Sequence, residues 1–186
     1  GTVNRFGKGA IVEVVHNRIG DGLVTGKIGV IGTNATIKSG KHAEYIKQLM
    51  PTAEVTACSG PLFVPLVEEG WHSPDDIVVL ETVKRYLKPI IDFGADTLIL
   101  GCTHYPVLAD AISKVLGDGV TLINAGTTTA KAVAEFLKQN DAENQNGGER
   151  KFFVSDKPAF FKEQAGVLLS EDTLAAKVEK VDINNI

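Results

Sequence analysis

Residues 96–106, Asp96-Thr97-Leu98-Ile99-Leu100-Gly101-Cys102-Thr103-His104-Tyr105-Pro106, decide how the chain is read. An apolar, partly β-branched run breaks at a glycine, passes through three polar side chains and meets a proline. That order describes a buried strand ending in a turn, with a helix opening where the missing N–H of Pro106 costs little. The same rhythm recurs on both sides. Lys27-Ile-Gly-Val-Ile-Gly32, Glu54-Val-Thr-Ala-Cys58 and Val120-Thr-Leu-Ile-Asn124 read as further strands. Between them the spacing predicts a helix over 39–50 capped by Ser39, with Tyr45, Ile46 and Leu49 inward and Pro51 as its stop. A longer helix is expected over 75–93, bent or ended early by Pro89 and left through Gly94. Another follows over 127–139, with Ala130, Val133, Ala134 and Leu137 on one face. Strands alternating with helices predict an α/β domain, a parallel sheet between two layers of helices.

Toward the C-terminus a polar tract over 140–149 has nothing to bury and reads as a linker or surface loop. Beyond it Lys151-Phe-Phe-Val-Ser155 predicts a strand, 158–168 a helix and 176–183 a last strand, too short a set for an independent core. Residues 1–26 form a poorly defined N-terminal segment around the amphipathic piece Ala10-Ile-Val-Glu-Val-Val-His16.

Composition narrows the function classes. The chain has 186 residues, enough for one compact core, and 44% are apolar, which excludes global disorder. Lys plus Arg number 19 against 23 Asp plus Glu, a net charge of -4 with no basic run, so neither nucleic acid nor anionic lipid is an expected partner. No stretch reaches the ~20 consecutive apolar residues of a membrane span, and a cytoplasmic setting is the default. Two cysteines, Cys58 and Cys102, are too few for a disulfide scaffold or a paired-cysteine zinc site. Each is either a buried thiol or chemistry.

Three features sit at predicted strand ends, where open α/β sheets place their ligand crevices. In the first, Cys102 lies in a strand-to-helix turn that favours thiolate, which makes it a candidate base or nucleophile. His104 is placed to contact a substrate carboxylate or exchange protons with the thiol, and Thr103 offers a hydroxyl and an N–H to an anion. The competing reading is a small buried hydrophobe. In the second, Thr33 and Thr36 of Gly32-Thr-Asn-Ala-Thr36 either turn hydroxyls toward a carboxylate or cap a helix. That loop lacks the Gly-Lys-Ser/Thr of a P-loop, and Gly29-Val-Ile-Gly32 lacks dinucleotide spacing, so no nucleotide cofactor is expected. In the third, the Pro- and Gly-rich run from Cys58 to Glu69 predicts an ordered crevice-side loop from which Glu68 either orients His104 or is simply solvated. One cysteine and one histidine make half a metal site, so zinc is not expected. Trp71, His72, Asp75 and Asp76 read as a surface turn and helix cap, and His16 and His42 as surface residues.

Gly101-Cys-Thr-His-Tyr-Pro106 resembles the signature of the glutamate racemases, within the aspartate/glutamate racemase superfamily. Supporting matches are Lys27-Ile-Gly-Val-Ile-Gly-Thr33 with Thr36, Ala57-Cys-Ser-Gly-Pro-Leu-Phe-Val-Pro-Leu-Val-Glu68 and, more distantly, Lys151-Phe-Phe-Val-Ser-Asp156, so that the likeness covers residues 27–180. The resemblance implies interconversion of L- and D-glutamate by two cysteines, one thiolate and one thiol, with neither pyridoxal phosphate nor metal, and thus D-glutamate for peptidoglycan. It implies Cys102 and His104 as catalytic residues, with Thr103, His104, Thr33 and Thr36 contacting substrate. Glutamate is then the small-molecule partner, with a homodimer left open.

The family resemblance also implies two facing α/β domains, the first carrying Asp-Ser-Gly-x-Gly-Gly and Cys-Asn-Thr turns that are absent from this sequence. Residues 27–126 then correspond to the second domain, and 127–186 to a segment returning to the first, so the chain reads as a fragment of impaired activity. Cys58 is rejected as the second base, because it would share one domain edge with Cys102 instead of facing it. A racemase for aspartate and a non-catalytic carboxylate-binding remnant are the alternative readings.

Overall fold

The computed structural model describes residues 25–148, 151–168 and 177–182. The N-terminal segment over 1–24, including the amphipathic piece and His16, lies outside the described residues. The chain divides between Asp141 and Ala142 into two compact units.

The first unit is built on four parallel strands: β1 (Lys27–Gly32), β2 (Glu54–Ser59), β3 (Thr97–Leu100) and β4 (Thr121–Asn124), in the order β2-β1-β3-β4. In register, Ile31 of β1 lies between Cys58 of β2 and Leu100 of β3. β1 is buried at every position but its first, and β3 throughout, which is why both read as unbroken apolar runs. The side-chain period of two separates their residues onto opposite faces. Ile31, Leu98 and Leu100 join one core with Phe63, Val79, Val83, Leu87, Ile90, Tyr105 and Ile112. Ile28, Val30 and Ile99 join a second with Ile46, Met50 and Ile123. The sheet is therefore covered on both sides, the three-layer α/β arrangement expected from the sequence.

The connection from β1 to β2 carries two helices, α1 (Asn34–Lys38) and α2 (Lys41–Leu49), where a single helix was expected. They part at Gly40, whose φ of 63° takes the chain out of the helical region. The inward set of α2 also differs from the expected one: Ile46 is buried and Met50 follows it inside, whereas Leu49 is 49% exposed. His42, expected at the surface, is half-buried. α3 (Phe63–Glu68) replaces the expected loop. Pro65 misled because it sits in the first helical turn, where no intrahelical N–H bond is lost.

α4 (Ile77–Phe93) starts on Asp76, whose carboxylate accepts from the N–H groups of Val78 at 2.7 Å and Val79 at 3.1 Å. It continues through Pro89 to Phe93 instead of ending early. Pro89 and Arg85 are both exposed, so the carbonyl that loses its helical donor faces water. Gly29 lets α4 approach β1, since a Cβ there would lie 2.9 Å from Cγ2 of Ile90. After β3 comes a 3₁₀ turn, Tyr105–Leu108, before α5 (Ala109–Leu116), so Pro106 opens a tighter turn and not the α-helix itself. α6 (Ala125–Gln139) begins directly on the last residue of β4, Asn124, whose side chain caps it. The polar tract that follows α6 holds the boundary between the two compact units. The apolar positions expected on one face of α6 are uncovered in the described structure, Val133 at 40% and Leu137 at 37% exposure.

The second unit consists of β5 (Lys151–Val154), α7 (Pro158–Leu168) and β6 (Lys177–Lys180), with the two strands parallel. Phe152 packs against Phe161 with ring centroids 5.5 Å apart. Asp156 is held below the ordinary carboxylate range by the Lys157 N–H and by Lys180, 3.4 Å away. Among the described residues no helix is long and apolar enough to cross a membrane.

Candidate active site

From β1 the chain turns to β2 on one side of the sheet, and the next strand, β3, lies on the other side. The strand order thus reverses between β1 and β3, whose C-terminal ends are the position where doubly wound sheets hold ligands. The strand ends are knitted together by backbone: Gly60 N–H donates to Gly32 at 3.0 Å, and Gly101 N–H donates to Ile31 at 2.8 Å. Gly101 is required by this closeness, because a Cβ would lie 3.0 Å from the Ile31 carbonyl oxygen.

The turn after β1 supplies Thr33 and Thr36. Thr33 Oγ1 accepts from the Thr36 N–H at 3.2 Å, so it does cap a helix, and the two hydroxyls lie 3.0 Å apart. Two hydroxyls carry two protons and their mutual bond consumes one, which leaves one proton free to donate to a ligand. Capping and ligand contact are thus compatible. The Thr36 methyl lies beside Gly101, so the first loop packs on the start of the second.

That second turn presents Cys102, half-buried; Thr103, exposed; and His104, half-buried. Sγ of Cys102 lies 4.0 Å from Nδ1 of His104, and Oγ1 of Thr103 lies 3.4 Å from the same nitrogen. On the far side of the ring, Nε2 lies 3.3 Å from Oε1 of Glu68, the last residue of α3. The structure therefore brings Glu68 to His104, one of the two fates open to it in the sequence. An ionised carboxylate only accepts hydrogen bonds, so a neutral imidazole facing Glu68 carries its proton on Nε2 and a lone pair on Nδ1. The lone pair then faces the Cys102 thiol. The arrangement can draw a proton from sulfur to imidazole while the carboxylate stabilises the ring charge that results.

Cys58 has no comparable surroundings. It lies within β2 beside Ile31, and burial raises its pKa from an ordinary 9.0 to about 11. At neutral pH it is a protonated thiol. Tyr105, which sequence reading passed over, is fully buried, and its hydroxyl donates to the Gly60 carbonyl at 2.8 Å. The available signal was its place directly after His104 in an otherwise polar turn. Among the described residues no group of three His, Cys, Asp or Glu side chains could hold a metal ion.

A parallel sheet with this switch point, and a thiol–imidazole–carboxylate series beside it, defines a class. The sequence signature of the Asp/Glu/Hydantoin racemases matches residues 10–133, and the chain belongs to that family. Its curated relatives include the glutamate racemase of Geobacter metallireducens, 43% identical over 139 residues that make up 74% of this chain and 51% of the relative. Among solved structures, a glutamate racemase isoform of Bacillus anthracis superposes with a TM-score of 0.80 at 31% identity, covering 96% of this chain and 63% of that one. The glutamate racemase of Francisella tularensis, solved in complex with D-glutamate, gives 0.77 at 31% identity, covering 95% and 62%. The chain spans about half the length of the curated relatives it matches.

Proposed function

We propose that this chain serves glutamate racemisation: cofactor-independent exchange of the Cα hydrogen of glutamate, interconverting the L and D forms and supplying D-glutamate for peptidoglycan in the cytoplasm. The observation that carries the reading is the series Cys102–His104–Glu68 at the switch point, with sulfur 4.0 Å from Nδ1 and Nε2 3.3 Å from the carboxylate. The names of the relatives support the substrate.

Racemisation requires a base on one face of Cα and an acid on the other. As base, the Cys102 thiolate takes the Cα proton and becomes a thiol, while an opposed thiol delivers its proton to the other face and becomes a thiolate. In the reverse direction the roles exchange. His104 takes the proton of Cys102 to prepare the thiolate, and Glu68 keeps the ring in the accepting tautomer. Thr103 and the free hydroxyl proton of the Thr33–Thr36 pair donate to substrate carboxylates, stabilising charge as the carbanion forms. Residues 27–126 act as the second racemase domain and 127–186 as the segment returning to the first. Cys58 stands at the C-terminal end of β2, on the same sheet edge as Cys102 instead of facing it, so it is not the opposed group. That group belongs to a facing domain, and the 186-residue chain by itself turns glutamate over poorly.

Deuterium incorporation at Cα of glutamate in heavy water tests the assignment. Cys102→Ser is expected to abolish whatever exchange the chain supports, and Cys58→Ser to leave most of it. Glutamate titration followed through the His104 ring signals reports binding when exchange is too slow to measure. Equal losses in the two variants, or no response of His104 to glutamate, would overturn the reading. Ordinary turnover by this chain would overturn the facing-domain assignment.

A further inference from the structure

The pair Glu68–His104 joins two loops that are 36 positions apart in the sequence, and it is partly open to solvent: the two side chains are 44% and 30% exposed. An ion pair this exposed contributes little to holding its own geometry. Something else must hold α3 against the turn after β3.

The Gly60 carbonyl does so by accepting twice. It takes the N–H of Phe63, the first residue of α3, at 3.0 Å, and the hydroxyl of Tyr105 at 2.8 Å. A carbonyl oxygen has two lone pairs, so both are used. The Tyr105 ring also meets the Phe63 ring edge to face, centroids 5.1 Å apart at 79°. From Phe63 the short helix runs to Glu68, and from Tyr105 the chain steps back one residue to His104. Gly60 is itself tied to β1 through Gly32.

We propose that Tyr105 is a positioning residue of this site: its buried hydroxyl bond to Gly60 sets the distance between Glu68 and His104 and thereby the imidazole tautomer offered to Cys102. Burial, with Cys102 as a smaller cause, raises the phenol's pKa, so the hydroxyl remains a donor over the whole working range. The reaction this positioning serves rests on the racemase reading, whereas the positioning itself is a property of the free protein.

The experiment compares the ring nitrogen NMR signals of His104 in the wild-type chain, Tyr105→Phe and Glu68→Gln, without substrate. Glu68→Gln supplies the signature of a ring that has lost its carboxylate. Tyr105→Phe is expected to move the signals toward that signature although both residues of the pair are intact. Gly60→Ala disturbs the clamp from the other side, because its methyl would meet Phe63 at 3.1 Å and Ile31 at 3.2 Å, and it should move the signals the same way. Signals in Tyr105→Phe that coincide with wild type while those of Glu68→Gln differ would reduce Tyr105 to a packing residue. Identical signals in all three proteins would show that the pair is not formed and would also overturn the proposal. If the wild type fails to respond to glutamate, the racemase reading falls, and the ring comparison still decides the role of Tyr105.

Discussion

Nε2 of His104 and Oε1 of Glu68 stand 3.3 Å apart, which leaves Nδ1 as the ring atom facing sulfur. The carboxylate and the thiol thus meet the ring at different nitrogens.

Glu68→Gln should therefore slow exchange at Cα while leaving glutamate affinity nearly unchanged. An amide can present an N–H to Nε2 and favour the opposite tautomer, with its proton on Nδ1. Loss of one orienting group at an acid–base site costs on the order of tenfold to a hundredfold in rate. Exchange kinetics across a glutamate series check it: a rise in KM with kcat intact would place Glu68 in binding instead.

The Cys58 thiol makes an alkaline prediction. Its folded-state pKa, raised to about 11, lies above the unfolded value near 9.0. Its contribution is complete below about pH 9 and is lost as pH climbs toward 11, because the unfolded chain ionises first. Denaturant midpoints measured between pH 8 and 11 should fall for the wild type and fall less steeply for Cys58→Val. Parallel profiles would contradict the burial of this thiol.

Gly101→Ala would set a methyl 3.0 Å from the Ile31 carbonyl, which already accepts the Gly101 N–H. Backbone on both sides leaves little room for relief. A loss of about 1–3 kcal/mol in urea unfolding is expected, typical of overpacking in a tight site.

Adjacent acids at the start of α4 separate capping from surface charge. Asp76→Ala removes the acceptor of two N–H groups and should cost about 1 kcal/mol. Asp75 is exposed, and the Lys114 ammonium at 2.7 Å holds its carboxyl below the usual range. Asp75→Ala should change stability much less, since exposed ion pairs are screened. Thermal melts of the two variants give the ranking.

Much of this was legible because buried parallel strands leave unbroken apolar runs, and β1 and β3 are buried almost throughout. Cys102, Thr103 and His104 could be grouped because they are neighbours along one turn. Their link to Glu68 needed the fold: the sequence offered the carboxylate as either partner or solvated charge, and only the packing of α3 on the turn after β3 decides between them. Tyr105 was missed for the same reason, since the acceptor of its hydroxyl lies 45 positions away. Local errors came from residues whose usual meaning is overridden by position. Pro65 sits within the first turn of a helix and Pro89 on the wet side of another, so neither breaks anything. Leu49 is exposed at the end of α2, and Met50, the residue after it, is buried in its stead.

Gly32 ends β1 and Gly101 follows β3, both in backbone contact with their neighbours, while the threonine, cysteine and histidine side chains stand on the turns that follow. Side-chain chemistry and scaffold are therefore separable in this architecture: Thr103 is exposed on its turn, so exchanging it alters a hydroxyl without disturbing the strands that carry it.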